Sequence, residues 1–258
     1  MAEKITSHSL EVVAGFYYRY VNRVSVQIKL FFAEAAMSIN RLVQCTLLFA
    51  WLIAAPAARA ADFFGGMSFG YKSGVSFRGS GGVAAFAQGF PLSVEFSITY
   101  SSVDPGEPFP ARRIFIADAT NGTPEKSGTT WGFAFDFLYN LNFRGPKAMY
   151  VFAGPRYAMF DAHFHYVGAN EEFDITSNPW GIGLGMKGLF AISSKVDLTL
   201  SAGVDQYFDT SIHGHDTTYN PDDQNVNANE NFTYKDAKAV VNTPRLQAVL
   251  LIGLSYTF

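Results

Sequence analysis

The 258-residue chain contains a single cysteine, Cys45, and only 16% of its residues are charged. One thiol excludes a disulfide-stapled scaffold. Low charge beside 48% hydrophobic and 16% aromatic residues excludes an intrinsically disordered chain, which lacks the apolar surface to fold. An excess of positive charge is also missing. The net charge of −3 leaves no basic face for nucleic acid, so no nucleic-acid partner is expected. The length suits one domain or at most two.

The apolar run Thr46–Ala58, TLLFAWLIAAPAA, has 13 residues, too few for a membrane-spanning helix, which needs ~20. Arg41 precedes it and Ala58-Arg59-Ala60 follows as a small-x-small site. That is the layout of a secretory signal peptide, so residues 1–60 are expected to be a leader cleaved after Ala60. Met37 opens MSINR, a compact n-region, which makes it a candidate start and residues 1–36 an upstream extension. Cys45 stands before the apolar run rather than after it, the wrong order for a lipid anchor.

Without the leader, residues 61–258 carry a net charge of −6, no cysteine, 33 aromatic residues and 22 glycines. Aromatics and glycine with little lysine favour β-structure over helix. Alternation with period two marks the strands. Leu246, Ala248, Leu250, Ile252, Leu254, Tyr256 and Phe258 share one face, opposite Gln247, Val249, Leu251, Gly253, Ser255 and Thr257. Val196–Asp209, Trp131–Leu141, Leu92–Ser101 and Trp180–Ile192 alternate in the same way. In each, the second face is mostly Gly, Ser, Ala and Thr with few charges. A soluble barrel would point its apolar face inward and clothe the other in Lys, Glu and Gln. A membrane barrel turns its apolar face to lipid, gathers aromatics at the interfaces and fills its interior with small polar side chains. Because lipid offers no hydrogen bonds to an open edge, the sheet must close.

The expected fold is therefore all-β, an eight-stranded antiparallel up-and-down transmembrane β-barrel over residues 61–258. The strands are placed at Phe63–Lys72, Gly82–Gly89, Leu92–Ser102, Thr129–Leu141, Lys147–Val167, Pro179–Ile192, Lys195–Ser211 and Arg245–Phe258. Connections alternate between loops (Ser73–Gly81, Val103–Gly128, Gly168–Asn178, Ile212–Pro244) and short turns (Phe90-Pro91, Asn142–Pro146, Ser193-Ser194). Gly154-Pro155 reads as a bulge or bend, since proline cannot serve a ladder.

An apparent leader, eight alternating strands and the ending Leu254-Ser255-Tyr256-Thr257-Phe258 resemble the eight-stranded outer-membrane β-barrel proteins of Gram-negative bacteria, the OmpA/OmpX/OmpW-like and opacity-like group. The resemblance covers residues 61–258 as architecture, and only the last strand is motif-like. It implies a location in the cell outer membrane and contact with outer-membrane lipid and lipopolysaccharide. It also implies that Phe258, with Tyr256, Leu254 and Ile252, serves as a signal to the barrel-assembly machinery. The resemblance does not extend to a periplasmic peptidoglycan-binding domain, so no cell-wall tether is implied. A monomer is expected.

Strand parity directs Glu95, Asp136, Arg156, Lys187, Asp197, Asp205 and Arg245 into the lumen. Eight strands leave an interior just wide enough for side chains, so these charges are expected to form a polar network of ion pairs. The function this favours is structural or interactive, through surface loops. A porin-like narrow channel for small or apolar solutes is the first alternative, and a lipid A acyl hydrolase or transferase the second. For the enzyme the available group is Asp161, His163 and Ser211, without a recognisable local motif, so no catalytic residue is assigned. His163 with His165, and His213 with His215, form two pairs lacking a third ligand at defined spacing, and neither a metal nor a cofactor is expected. Arg112-Arg113 beside Ile114-Phe115-Ile116 forms a basic-apolar patch suited to lipopolysaccharide phosphate or a host surface. The Asn- and Asp-rich loop Asp216–Asn231 could bind Ca²⁺ weakly. For both loops the plainer expectation is a solvated, variable surface.

Overall fold

The computed structural model describes residues 62–84, 92–116, 121–143, 145–169 and 171–258. The expected leader, the start at Met37 and the cleavage site after Ala60 lie outside these residues. In chain order the described elements are β1 (Asp62–Lys72), β2 (Gly74–Ala84), β3 (Leu92–Val103), α1 (Pro108–Phe115), β4 (Thr123–Asn140), β5 (Ala148–Val167), β6 (Glu171–Ser177), β7 (Trp180–Ala191), β8 (Val196–Tyr207), β9 (Ile212–His213), β10 (Thr218–Tyr219), α2 (Tyr234–Val240) and β11 (Leu246–Thr257).

Eight of these strands, in the order β1, β2, β3, β4, β5, β7, β8, β11, form a closed antiparallel barrel. The last strand seals it against the first, from Phe64 opposite Thr257 to Lys72 opposite Val249. On the far side β5 skips β6 and pairs with β7, from Ala148 opposite Leu189 to Tyr157 opposite Trp180. Closure satisfies the backbone edges that hydrocarbon would leave unpaired.

The alternation read from the sequence becomes an outer apolar coat and an inner polar face. Met67, Phe69, Val75, Phe77, Phe96, Ile182, Leu184, Leu250 and Leu254 are exposed on the outside, and Met67 is 81% exposed. Ser93, Ser97, Thr99, Ser101, Thr130 and Thr199 are buried inside. An apolar belt this extensive, on a wall only one sheet thick, is a surface made for lipid and not for water. Aromatic pairs lie near both rims. Tyr100 meets Trp131 at 5.2 Å and Tyr157 meets Trp180 at 4.9 Å towards one end; Tyr256 meets Phe258 at 5.1 Å at the other. Amphipathic rings gather where hydrocarbon gives way to water.

Several boundaries differ from the sequence reading. The second strand is Gly74–Ala84 rather than Gly82–Gly89, and the expected loop Ser73–Gly81 shrinks to a turn with Ser73 at its apex, at a φ of 57°. The connection counted as long is therefore the tightest, and the alternation of loops and turns fails there. Val75-Ser76-Phe77-Arg78 does alternate, but Gly79, Gly81 and Gly82 hide the pattern because they have no side chain to mark a face. No bulge forms at Gly154-Pro155. β4 and β5 keep one register on both sides, with Ala134 opposite Arg156 and Phe137 opposite Ala153. The two intervening pairs are simply absent, while Gly154 and Pro155 stay paired to β7. Gly154 is needed because a Cβ there would collide with the Phe135 carbonyl.

The upper half of β5 continues past the barrel and exchanges one neighbour for another. From Phe160 to Tyr166 it pairs with β6, in the stretch read as the loop Gly168–Asn178. β4 likewise starts at Thr123, six residues earlier than expected. These extensions join α1, α2, β9 and β10 in a cap with its own hydrophobic core.

Candidate functional site

The lumen is crossed by a chain of buried charges. Arg156 on β5, 1% exposed, joins two carboxylates: its NH1 lies 2.8 Å from Asp136 Oδ1 and its Nε donates to Asp205 Oδ1 at 2.8 Å. Asp205 also accepts from Lys72 Nζ at 2.8 Å, and Lys72 Nζ donates to the Tyr207 hydroxyl at 2.9 Å. Towards the end carrying Asp62 and Thr257, Lys187 is paired with Glu95. At that mouth Lys147 Nζ reaches both oxygens of Asp197, at 3.0 and 2.8 Å. Strand pairing explains the adjacency, since Glu95 stands opposite Asp136 across β3 and β4 and Gly183 leaves space for the guanidinium of Arg156.

The structure thus places Glu95, Asp136, Arg156, Lys187, Asp197 and Asp205 inside, and Arg245 outside. Arg245 shares the inward parity but precedes β11 and is exposed. The sequence reading missed Lys72, Arg78, Lys147 and Tyr207. Lys72 carries the period-two signal of Ser68 and Gly70 before it, whereas Arg78 falls in the stretch taken for a loop.

Among the described residues, cavities open within the lumen. One, of about 300 Å³, opens at the mouth and is lined by Phe64, Tyr150, Leu189, Lys147, Asp197 and Lys187, among others. Another, about 10 Å³, lies deeper and shares Lys187 with the first. Ten cubic ångströms holds one water. Past it come Arg156, Asp205 and Lys72, and then the cap.

The cap core consists of Ala111, Ile114 and Phe115 from α1, Phe160, Ala162, Phe164 and Tyr166 from β5, Phe173 and Ile175 from β6, and Ile212, Tyr219, Tyr234, Ala237 and Val241. Its inward row on β5 runs on from Ala158, a lumen position with no exposure. Phe164 stacks on Phe173 at 5.3 Å, and Phe115 meets Tyr219 edge-on at 5.3 Å. Every buried tyrosine hydroxyl there is spent on a carbonyl: Tyr166 on Pro108 at 2.5 Å, Tyr219 on Ile114 at 3.1 Å and Tyr234 on Thr210 at 2.9 Å. Pro108 opens α1 where a missing N–H costs nothing. α2 begins with a capping box, Asp236 Oδ2 accepting from Thr233 N at 2.8 Å. The two long loops are strapped together by Glu107 N to Val240 O at 2.8 Å and Asn242 N to Pro105 O at 3.0 Å. Between them Gly106, at φ +124°, approaches Val240 too closely for any side chain. Lys126 anchors the strap through Asp104 Oδ1 at 2.8 Å, which holds that carboxyl below its usual range.

Arg112 is not part of a surface patch. It is 3% exposed, ion-paired with Glu171, stacked 4.4 Å over the Tyr166 ring and bonded to the Asn121 carbonyl at 2.8 Å. Arg113 is exposed, over the Phe232 ring at 6.0 Å. Phosphate recognition by the Arg112-Arg113 pair is thereby corrected, because Arg112 already has its anion.

The histidines lie on the outer face of the cap. His163 Nδ1 is 2.7 Å from Asp174 Oδ1 and its Nε2 3.3 Å from Glu172 Oε1, so both nitrogens face β6. The hydrogen bond to Asp174 holds the imidazole pKa above its ordinary value. Ser127 stands opposite on β4, on the side away from those nitrogens. Asp161 is exposed on the same strand. Ser211 donates to Asn220 Oδ1 at 2.6 Å instead of meeting His163. His213 pairs with Thr218 Oγ1 at 3.0 Å, and His215 with Asp216 at 3.0 Å. Among the described residues no three His, Cys, Asp or Glu side chains are grouped to hold a metal. At the other end Phe258, Tyr256 and Leu254 are exposed on β11 and beyond it, and the Phe258 amide donates to the Phe63 carbonyl at 3.0 Å.

Closed ladder, lipid coat and charge-filled lumen define the class: an integral transmembrane β-barrel of the outer-membrane type. A major outer membrane protein from Thermus thermophilus has a similar structure, with a TM-score of 0.64 and 21% identity over 77% of this chain and all of that one. More distant are the Yersinia pestis attachment invasion locus protein Ail (TM-score 0.41, 10% identity, 77% and 97% coverage) and Neisserial surface protein A (0.36, 14%, 77% and 96%). No protein-family model matches the chain, and no curated sequence does.

Proposed function

We propose that this chain is a non-conducting protein of the cell outer membrane that meets its surroundings through the cap, with the cap extracellular and the vestibule facing the periplasm. One observation carries the reading: the lumen is spanned by ion pairs from Lys187 to Lys72 and roofed by a cap with a buried core of its own. A loop cluster that only covered a pore would not need fourteen buried side chains and three satisfied tyrosine hydroxyls. The outer surface of the cap, carrying Glu125, His163, His165, Glu172 and Asp174, is the face offered to the environment. No catalytic role is assigned to it, because carboxylates engage both nitrogens of His163. Outer-membrane lipid and lipopolysaccharide contact the coat, the C-terminal strand ending at Phe258 addresses the barrel-assembly machinery, and the protein acts as a monomer.

A second reading, a narrow channel, draws on the 300 Å³ vestibule. Planar-bilayer recording of the refolded chain separates the two. The sealed reading predicts a flat current trace at the level of protein-free membranes. Discrete, voltage-driven steps that recur at one conductance would establish the channel instead.

A further inference from the structure

Among the described residues, the barrel interior buries four cations, Lys72, Arg78, Arg156 and Lys187, and four carboxylates, Glu95, Asp136, Asp197 and Asp205. Asp197 is taken by a fifth cation, Lys147, reaching in from the mouth at 2.8 Å. Four buried cations then share three carboxylates. Lys187 has Glu95, Arg156 has Asp136 and Asp205, and Lys72 has Asp205. Arg78 has no carboxylate within ion-pair distance, and Asp205, Glu95 and Asp136 act on it only from farther off. Its hydrogen bond is from Nε to Thr99 Oγ1 at 3.0 Å, and the residue is 8% exposed.

A guanidinium cannot shed its proton to escape burial, and an unpaired buried charge is costly. The lipid outside the wall adds no screening. The space beside Arg78 is the 10 Å³ cavity, whose wall includes Ser68, Ser80, Thr199, Ser201 and Ser255. Hydroxyls supply further donors and no charge. Glu95 and Lys187 also border it, but they are paired with each other.

We propose that Arg78 and this hydroxyl-lined cavity bind one small monovalent inorganic anion of chloride size. The anion supplies the missing negative charge, and the hydroxyls of Ser80, Thr199 and Ser201 complete its shell. Size sets the selectivity, because a cavity this small has no room for tetrahedral phosphate or sulfate. Lys187 lines both this cavity and the vestibule, so the route of entry is from the mouth, past the Lys187–Glu95 pair.

The test uses the full chain refolded in detergent micelles, with thermal unfolding followed by circular dichroism in sodium chloride, bromide, sulfate or phosphate at matched ionic strength. For the wild type the midpoint should rise roughly 3–5 °C for each tenfold increase in chloride or bromide above the dissociation constant, and remain flat in sulfate and phosphate. Arg78→Gln should abolish the halide dependence, and Arg78→Lys should retain it. Crystals of the wild type grown in bromide should show an anomalous peak beside the Arg78 guanidinium, a measurement that stands even if Arg78→Gln fails to fold. Equal midpoints in all four salts, halide dependence unchanged in Arg78→Gln, or a bromide crystal with only water in the cavity would overturn the proposal.

Discussion

Replacing Arg156 by methionine is expected to destabilise the barrel by about 3–5 kcal/mol, the range for removing one partner from a buried ion pair. Arg156 is the most consequential lumen residue because it bridges Asp136 and Asp205, each at 2.8 Å, with all three side chains buried. Methionine fills much of the volume but leaves Asp136 without a cation. Asp205 keeps only Lys72. The cost arises from stranded carboxylates and not from lost packing, so Arg156→Met combined with Asp136→Asn should recover a large part of it. Urea unfolding in micelles measures both variants, read as midpoint shifts at constant slope. A shift under about 1 kcal/mol in the single variant, or no recovery in the double, would mean that the network does not hold the lumen together.

The second large effect is expected in the cap. Phe164 has no exposure and stacks on Phe173, so Phe164→Ala should cost the cap about 3–5 kcal/mol, the usual range for a buried aromatic truncation. The barrel strands share few side chains with that core, and their ladder below Ala158 is untouched. Limited proteolysis from outside should therefore cut the variant within residues 208–245 or 104–122 at protease levels that leave the wild type whole. The barrel itself should keep its unfolding midpoint within a few degrees. Loss of the barrel together with the cap would show one cooperative unit, and an unchanged cleavage pattern would show that the cap core contributes little.

These two predictions fall on parts of the molecule that were unequally legible in the sequence. Strands β3, β4, β7, β8 and β11 announce themselves because each alternates bulky with small polar residues, and a period of two survives any loop context. Glu95, Asp136, Arg156 and Lys187 follow from parity alone. β2 was displaced because Gly79, Gly81 and Gly82 blank out one stretch of the pattern, and Arg78 vanished with it. Arg245 shows the opposite error, since parity carries no information about where a strand ends. The cap was illegible for a different reason. Phe115, Ile212, Tyr219, Tyr234 and Val241 are spread over two loops rich in Pro, Asn and Asp, and no local period links residues that meet only in three dimensions. Arg112 looked like a surface cation because its partner Glu171 lies 59 positions away by sequence number. β5 was read at its full length, but its change of partner from β7 to β6 depends on pairing that composition does not encode.

The central claim is that residues 62–258 form a closed barrel living in lipid. Its most direct measurement is the electrophoretic mobility of the membrane-extracted protein with and without boiling, alongside fractionation of expressing cells. The account predicts recovery in the outer-membrane fraction only with detergent, and an unboiled band that runs apart from the boiled one because a closed ladder resists detergent until heated. A protein that is soluble without detergent, or whose band ignores boiling, would contradict it.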